Sequence, residues 1–187
     1  MNNYNNSLLC PALFLTIGGW RQPTIMVDRI IDFQPGEYGC ITVIKHVTFN
    51  DSFLQGHFPD DPVMPGIMIA EIFGQASEYL SFIDDFCNIY NKRKNILLNR
   101  FSDISKAMSE PESLSTLISH RNKVNGVLVS QNIKYKNSVY PGDTIEVRSK
   151  LLLSDPDSFK HYNVEARVGK KLVAAGTIVN YRKQVIT

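Results

Sequence analysis

The chain has 187 residues, long enough for one well-packed domain and short for two. Its 43% hydrophobic and 20% charged content is that of an ordinary globular protein, and a formal charge of +2 gives no basis for a nucleic-acid partner. Cys10, Cys40, Cys87 and the four histidines lie far apart, which excludes a metal-ligand or redox motif and fits a reducing, cytoplasmic setting.

The run Leu8 to Ile17 is apolar, but its leader MNNYNN has no Lys or Arg and Pro11 interrupts it. It reads as a short helix or packing segment, not a targeting signal. No stretch reaches the roughly 18 apolar residues of a membrane span, so none is expected. Thr24 to Phe33 is rich in β-branched residues and ends at Gln34-Pro35-Gly36, which predicts a strand. Tyr38 to Phe49 predicts a second one.

Residues 55–66, QGHFPDDPVMPG, hold three prolines, two glycines, two aspartates and one histidine. Pro62 and Pro65 remove donors and fix φ, so this is a rigid irregular loop around His57. From Gly66 to Ile83 the pattern is helical, with Pro65 where a helix start tolerates proline. Apolar residues surround the axis, so the helix is expected to be buried. Its polar members Glu71, Gln75 and Glu78 fall at i, i+4 and i+7, in one narrow stripe.

Residues 84–125 read as a polar insert with short helices at 96–101 and 114–118. Strand signals return at 126–139, 144–153, 160–168 and 171–182, punctuated by Tyr140-Pro141-Gly142-Asp143, Asp155-Pro156-Asp157 and Gly169-Lys170. One apolar helix with strands on both sides in sequence predicts α+β architecture, an antiparallel sheet wrapped around a long central helix, in a single domain over 1–187.

Three parts of the loop and helix bear on chemistry. A pre-positioned imidazole at His57 suits general acid–base work. Glu71, among apolar neighbours, is the candidate proton donor. The free amides at Gly66 and Ile67 begin a helix, where a carbonyl would be polarised. Base, acid and oxyanion site point to proton abstraction beside a carbonyl, followed by loss of a β-substituent. A cation held by His57, Asp60 and Asp61 is the weaker reading, because the prolines splay the loop and no second histidine is near. No Ser or Cys stands in a nucleophile elbow, and neither a metal nor a cofactor is expected.

His57-Phe58-Pro59, Pro62, Met64-Pro65-Gly66, Glu71 and Gln75 resemble the pattern of the β-hydroxyacyl-acyl-carrier-protein dehydratases, the FabZ and FabA families of the hot-dog fold. The likeness extends to Val27–Ile30, Gln55-Gly56 and Tyr140–Asp143. Glutamate at position 71 is FabZ-like, while Trp20-Arg21-Gln22-Pro23 stands where FabZ usually has His-Arg-Tyr-Pro. The resemblance implies that His57 acts on the α-proton, Glu71 assists departure of the β-hydroxyl, and Gln75 supports the carboxylate. It also implies that the Gly66 amide holds the thioester carbonyl, with Ile67, Phe58 and Pro65 beside the substrate. It further implies a homodimer, or a higher even oligomer, whose sites take histidine and acid from different chains, working in fatty-acid or polyketide and polyene biosynthesis. The alternatives are a hot-dog thioesterase and a non-catalytic acyl-binding subunit of a synthase complex. An acidic acyl-carrier protein is the expected partner, with Lys92, Arg93, Lys94, Lys134 and Lys136 as docking candidates, since stretches 92–100 and 121–136 carry no acid.

Overall fold

A helix that is apolar on every side has to be enclosed, because each fully buried Ile or Phe side chain contributes about 1.5–3 kcal/mol that solvation would forfeit. The computed structural model describes residues 7–184 and shows how this chain does it. The order is α1 (Pro11–Ile17), β1 (Arg29–Gln34), β2 (Cys40–His46), α2 (Gly66–Lys94), α3 (Phe101–Met108), α4 (Pro111–Arg121), β3 (Val124–Tyr135), β4 (Thr144–Ser154), β5 (Phe159–Val168) and β6 (Lys171–Gln184). A 3-10 turn, Ser52–Leu54, precedes the proline-rich loop.

All neighbouring strands are antiparallel, in the order β1-β2-β4-β5-β6-β3. The sheet curls around α2, whose Ile72, Phe73, Ala76 and Ile83 are fully buried with Val43, Val147, Tyr162 and Ile178 of the strands. This is the hot-dog arrangement. The segment before β1 belongs to the same core: Leu8, Leu9 and Ile17 are buried, and the Leu8 amide donates to the Ile30 carbonyl at 2.8 Å. The leader MNNYNN lies outside the described residues.

Several boundaries differ from those expected. The first strand begins at Arg29, not Thr24, because the Thr24 carbonyl and Met26 amide bond to the Gln75 side chain instead of to a strand. Helix α2 runs to Lys94, eleven residues beyond Ile83. Phe86, Cys87 and Tyr90 keep its inner face buried while Asp84, Asn88 and Lys92 lower its mean hydropathy. It stops at Asn95, which takes a left-handed φ of 54°. Residues 96–100 are not helical and that helix lies at 101–108, whereas the helix expected at 114–118 is present as part of α4, 111–121. The part of the insert that leaves the axis of α2 is therefore 95–123.

Strand order also sets the sheet edge. β6 pairs on both sides, with β5 and β3. The long unpaired edge belongs to β3, a 12-residue strand exposed along nearly its whole length.

Candidate active site

The prolines of the 55–66 loop leave few amides to satisfy, and the loop folds on itself. Asp61 N donates to the Phe58 carbonyl at 3.1 Å, and Val63 N donates to the His57 carbonyl at 3.0 Å. Met64, 3% exposed, plugs the core and donates its amide to the Val139 carbonyl at 2.8 Å, pinning the loop to the connection after β3.

This fixes the His57 ring. Its Nδ1 lies 2.8 Å from the Val63 carbonyl oxygen. A carbonyl only accepts, so Nδ1 carries a proton, and in the neutral ring the lone pair is on Nε2. The Phe58 ring stacks on the imidazole at 4.2 Å. His57, Met64, Gly66, Ile69, Tyr135 and Lys136 are among the residues lining an open cleft of about 290 Å³.

Pro65 precedes the helix with φ −58° and ψ 134°, and no side chain caps the first turn. The Gly66 and Ile67 amides thus point out of the helix start without an intrahelical partner. Gly66 keeps the helix start close to the Tyr135 ring. A Cβ there would meet Tyr135 ring atoms at 3.0 to 3.3 Å. The Tyr135 ring therefore closes one side of the helix start, a contact nothing in the sequence announced.

Glu71 is half-buried, and its Oε1 accepts a hydrogen bond from Gln75 Nε2 at 2.8 Å. Gln75 is itself 1% exposed and fully committed: Oε1 accepts from Met26 N at 2.9 Å, and Nε2 also donates to Thr24 O at 2.6 Å. The backbone of residues 24–26 thus aims Gln75 at Glu71.

The chain does not bring His57 and Glu71 together. Ile69 lines the His57 cleft and Glu71 does not. Two residues along a helix turn by about 200°, so Glu71 leaves the opposite side of α2. Of the expected substrate contacts, Ile67 is 68% and Phe58 56% exposed, beside the half-buried Pro65 and Gly66.

The basic candidates divide into two groups. Lys136 lines the His57 cleft, and Lys134 lies exposed near it on β3. Lys92, Arg93 and Lys94 sit in the last turn of α2, about 40 Å along the axis from Gly66. Lys94 is paired with Glu110 at 3.5 Å and Glu112 at 3.0 Å, and Arg93 donates to Thr116 at 2.6 Å.

Further along α2, Glu78 and Asp85 both pair with Arg182, and Asp85 also meets His120 Nε2 at 2.9 Å. Burial raises the Glu78 pKa despite Arg182. Burial also works against the Asp85 carboxylate, but hydrogen bonds from His120 and Arg182 and the Arg182 charge outweigh it and hold the carboxyl below its ordinary value. Among the described residues no group of His, Cys, Asp and Glu is arranged to hold a metal, and no helix is long and apolar enough to cross a membrane.

Residues 21–108 match the FabA-like domain. The 3-hydroxyacyl-(acyl-carrier-protein) dehydratase FabZ of Oleidesulfovibrio alaskensis is 33% identical over 156 residues, covering 81% of this chain and 77% of that protein. FabZ of Thioalkalivibrio sulfidiphilus is 32% identical over 165 residues, covering 88% and 91%. A solved structure of the dehydratase heterocomplex ApeI:P from Xenorhabdus doucetiae shares the fold, with a TM-score of 0.57 at 14% identity over 88% of this chain and 86% of that one. Identity above 30% along most of the length of both FabZ proteins places this chain in the FabZ family of dehydratases.

Proposed function

We propose that this dehydratase converts a β-hydroxyacyl thioester, borne by an acyl-carrier protein, to the trans-2-enoyl thioester, in sites each built from two copies of the chain. His57 Nε2 removes the α-proton. The C–H electron pair moves toward the thioester carbonyl, whose oxygen lies at the Gly66 amide and the positive end of the α2 dipole. That pair then forms the double bond as the β C–O bond breaks, and Glu71 of the partner copy protonates the departing hydroxyl to give water. Electrons balance within the substrate, so the reaction needs no redox cofactor.

The observation that carries this reading is the opposition of His57 and Glu71 across α2. A lone chain holds half of two sites. β3 offers the means of joining them: an unpaired 12-residue edge with Val127, Leu128 and Val129 exposed is a surface that proteins pair or cover. A two-fold pairing there supports a homodimer. Lys134 and Lys136, beside the cleft, are the better placed of the basic groups to meet an acidic carrier. We place the enzyme in the cytoplasm, as one domain serving fatty-acid or specialised acyl synthesis.

The test mixes inactive His57→Ala and Glu71→Gln proteins and verifies subunit exchange. In a shared site, random pairing leaves roughly a quarter of all sites with both wild-type groups, so about a quarter of full activity returns. No recovery after verified exchange sinks the two-copy site.

A further inference from the structure

Beyond Glu71, the same side of α2 leads to a second cavity. Glu78 and Tyr79 lie seven and eight residues further on, about 10–12 Å along the axis. They help to line a cavity of about 290 Å³ with Trp20, Phe82, Arg121 and Val127. Its wall is aromatic: the Tyr79 ring lies 5.4 Å from both Phe14 and Trp20. Such a wall suits an acyl chain, but three polar features do not suit a methyl terminus.

The first is Tyr79. Its ring is buried, while its hydroxyl sits beside Gly18 and is not one of the sealed, unpartnered polar atoms, so it remains accessible to whatever occupies the cavity. The second is Arg121. Its Nη1 is held by the Val124 carbonyl at 3.0 Å and Asn125 Oδ1 at 2.6 Å, while Nη2 lies against Gly19, where a Cβ would collide with it. The third is Arg21, which with Arg121 lines an adjoining hollow of about 310 Å³ that contains no acid. Neither arginine forms an ion pair among the described residues. Both sit close enough for their charges to act on the Tyr79 phenol. Glu78, the one carboxylate lining the cavity among the described residues, is turned to Arg182 and Gly126, with Oε2 sealed from solvent.

A preheld guanidinium, a second cation beside it and an accessible phenol form a donor set for an anion at the end of an apolar slot. We propose that this cavity receives the far end of the acyl group, and that Arg121, Arg21 and Tyr79 select chains ending in a carboxylate over chains ending in a methyl group. The assignment to an acyl chain rests on the dehydratase reading. The cavity and its donors do not.

Trp20 is the only tryptophan in the chain and stands in the cavity wall, so its fluorescence reports occupancy without turnover. Titration of the full chain with 3-hydroxyacyl-pantetheines of equal length, ending in carboxylate or methyl, is expected to show at least about tenfold tighter binding of the carboxylate form. Arg121→Gln and Tyr79→Phe, the latter keeping the ring and its packing, are each expected to shrink that ratio, with thermal melts confirming that both variants fold. Equal affinity for the two ends in the wild type, or a ratio unchanged in both variants, overturns the proposal. Phosphopantetheine without an acyl group is the third ligand: if it competes as well as the carboxylate-ended chain, the anion is the carrier arm's phosphate and the acyl-end assignment falls. Turnover of the same thioesters separates the two readings, since a preference in binding without dehydration removes the dehydratase function and leaves the site.

Discussion

Gln75 offers the clearest test of how the site is held. In Gln75→Leu the volume is roughly kept, and three hydrogen bonds are lost at once. Two of the three acceptors and donors recover. The Thr24 carbonyl belongs to an exposed residue and Glu71 is half-buried, so water replaces the amide at both. The Met26 amide cannot recover, because Met26 is 2% exposed and Gln75 Oε1 is its partner. Leaving one buried donor unpaired costs about 1–3 kcal/mol. For a chain of this size about 2–4 °C of melting temperature accompanies each kcal/mol, so a fall of about 2–12 °C is expected. Activity is expected to fall further than stability, because Glu71 then lacks the donor that fixes its rotamer, and a freed carboxyl costs kcat rather than KM. Gln75→Glu separates the two effects. It still offers Met26 N an acceptor, but sets a second carboxylate against Glu71, which raises the acid's pKa and moves the kcat–pH profile toward higher pH. The assays are differential scanning calorimetry and a pH series of hydroxyacyl-thioester dehydration. A Gln75→Leu protein with wild-type melting temperature and wild-type kcat refutes the reasoning.

Three further outcomes follow from the same geometry. Gly66→Ala sets a methyl 3.0 to 3.3 Å from the Tyr135 ring, so the ring or the helix start must shift by a few tenths of an ångström and kcat is expected to drop through displacement of the oxyanion position; the double variant Gly66→Ala with Tyr135→Ala is expected to regain part of it in the same assay. Asp85→Asn is expected to destabilise the protein at neutral pH: a depressed folded pKa gives stability that is present above the ordinary carboxylate range and lost as pH falls, so urea melts of variant and wild type should converge below about pH 4. Thiol labelling of the native protein should modify exposed Cys10 quickly and spare Cys87, which is buried with its thiol pKa pushed up to about 12; rapid native labelling of Cys87 would contradict its burial.

The core of the fold was legible because its signals are local. Pro65-Gly66 marks the start of α2 by backbone restriction alone, and the strands from 126 onward are bounded by Pro-Gly, Asp-Pro and Gly turns that lie where the chain reverses. What misled was composition averaged over a window. Asp84 to Lys94 looks like the beginning of a polar insert, yet Phe86, Cys87 and Tyr90 continue the buried face at helical spacing, one stripe out of a polar cylinder. Thr24 to Asp28 has strand propensity and no strand, because its backbone groups are claimed by a side chain 49 to 51 residues away. Propensity carries no information about such a partner. Which strand forms the edge is a property of strand order that length does not encode: the longest strand, β6, is paired on both sides, and the edge is β3.

The polar stripe of α2 shows where residue spacing stops being informative about function. Glu71, Glu78 and Asp85 recur every seven residues along one side of a buried helix, and on spacing alone each is an equal candidate for an acid. Their surroundings assign them different work. Glu78 and Asp85 meet Arg182 on β6, and Asp85 also meets His120 on α4, so their carboxylates are matched by cations reaching in from distant parts of the chain. Glu71 meets no cation among the described residues. Its partner is the neutral carboxamide of Gln75, which orients a carboxyl without neutralising it. A buried acid tied to arginine is part of the frame, and removing either partner leaves an uncompensated charge. An acid held by a neutral amide is not committed to such a frame. That contrast in partner, set by residues 24–26 at one end of the stripe and by Arg182 at the other, is what distinguishes the candidate acid from its two neighbours on the same helix.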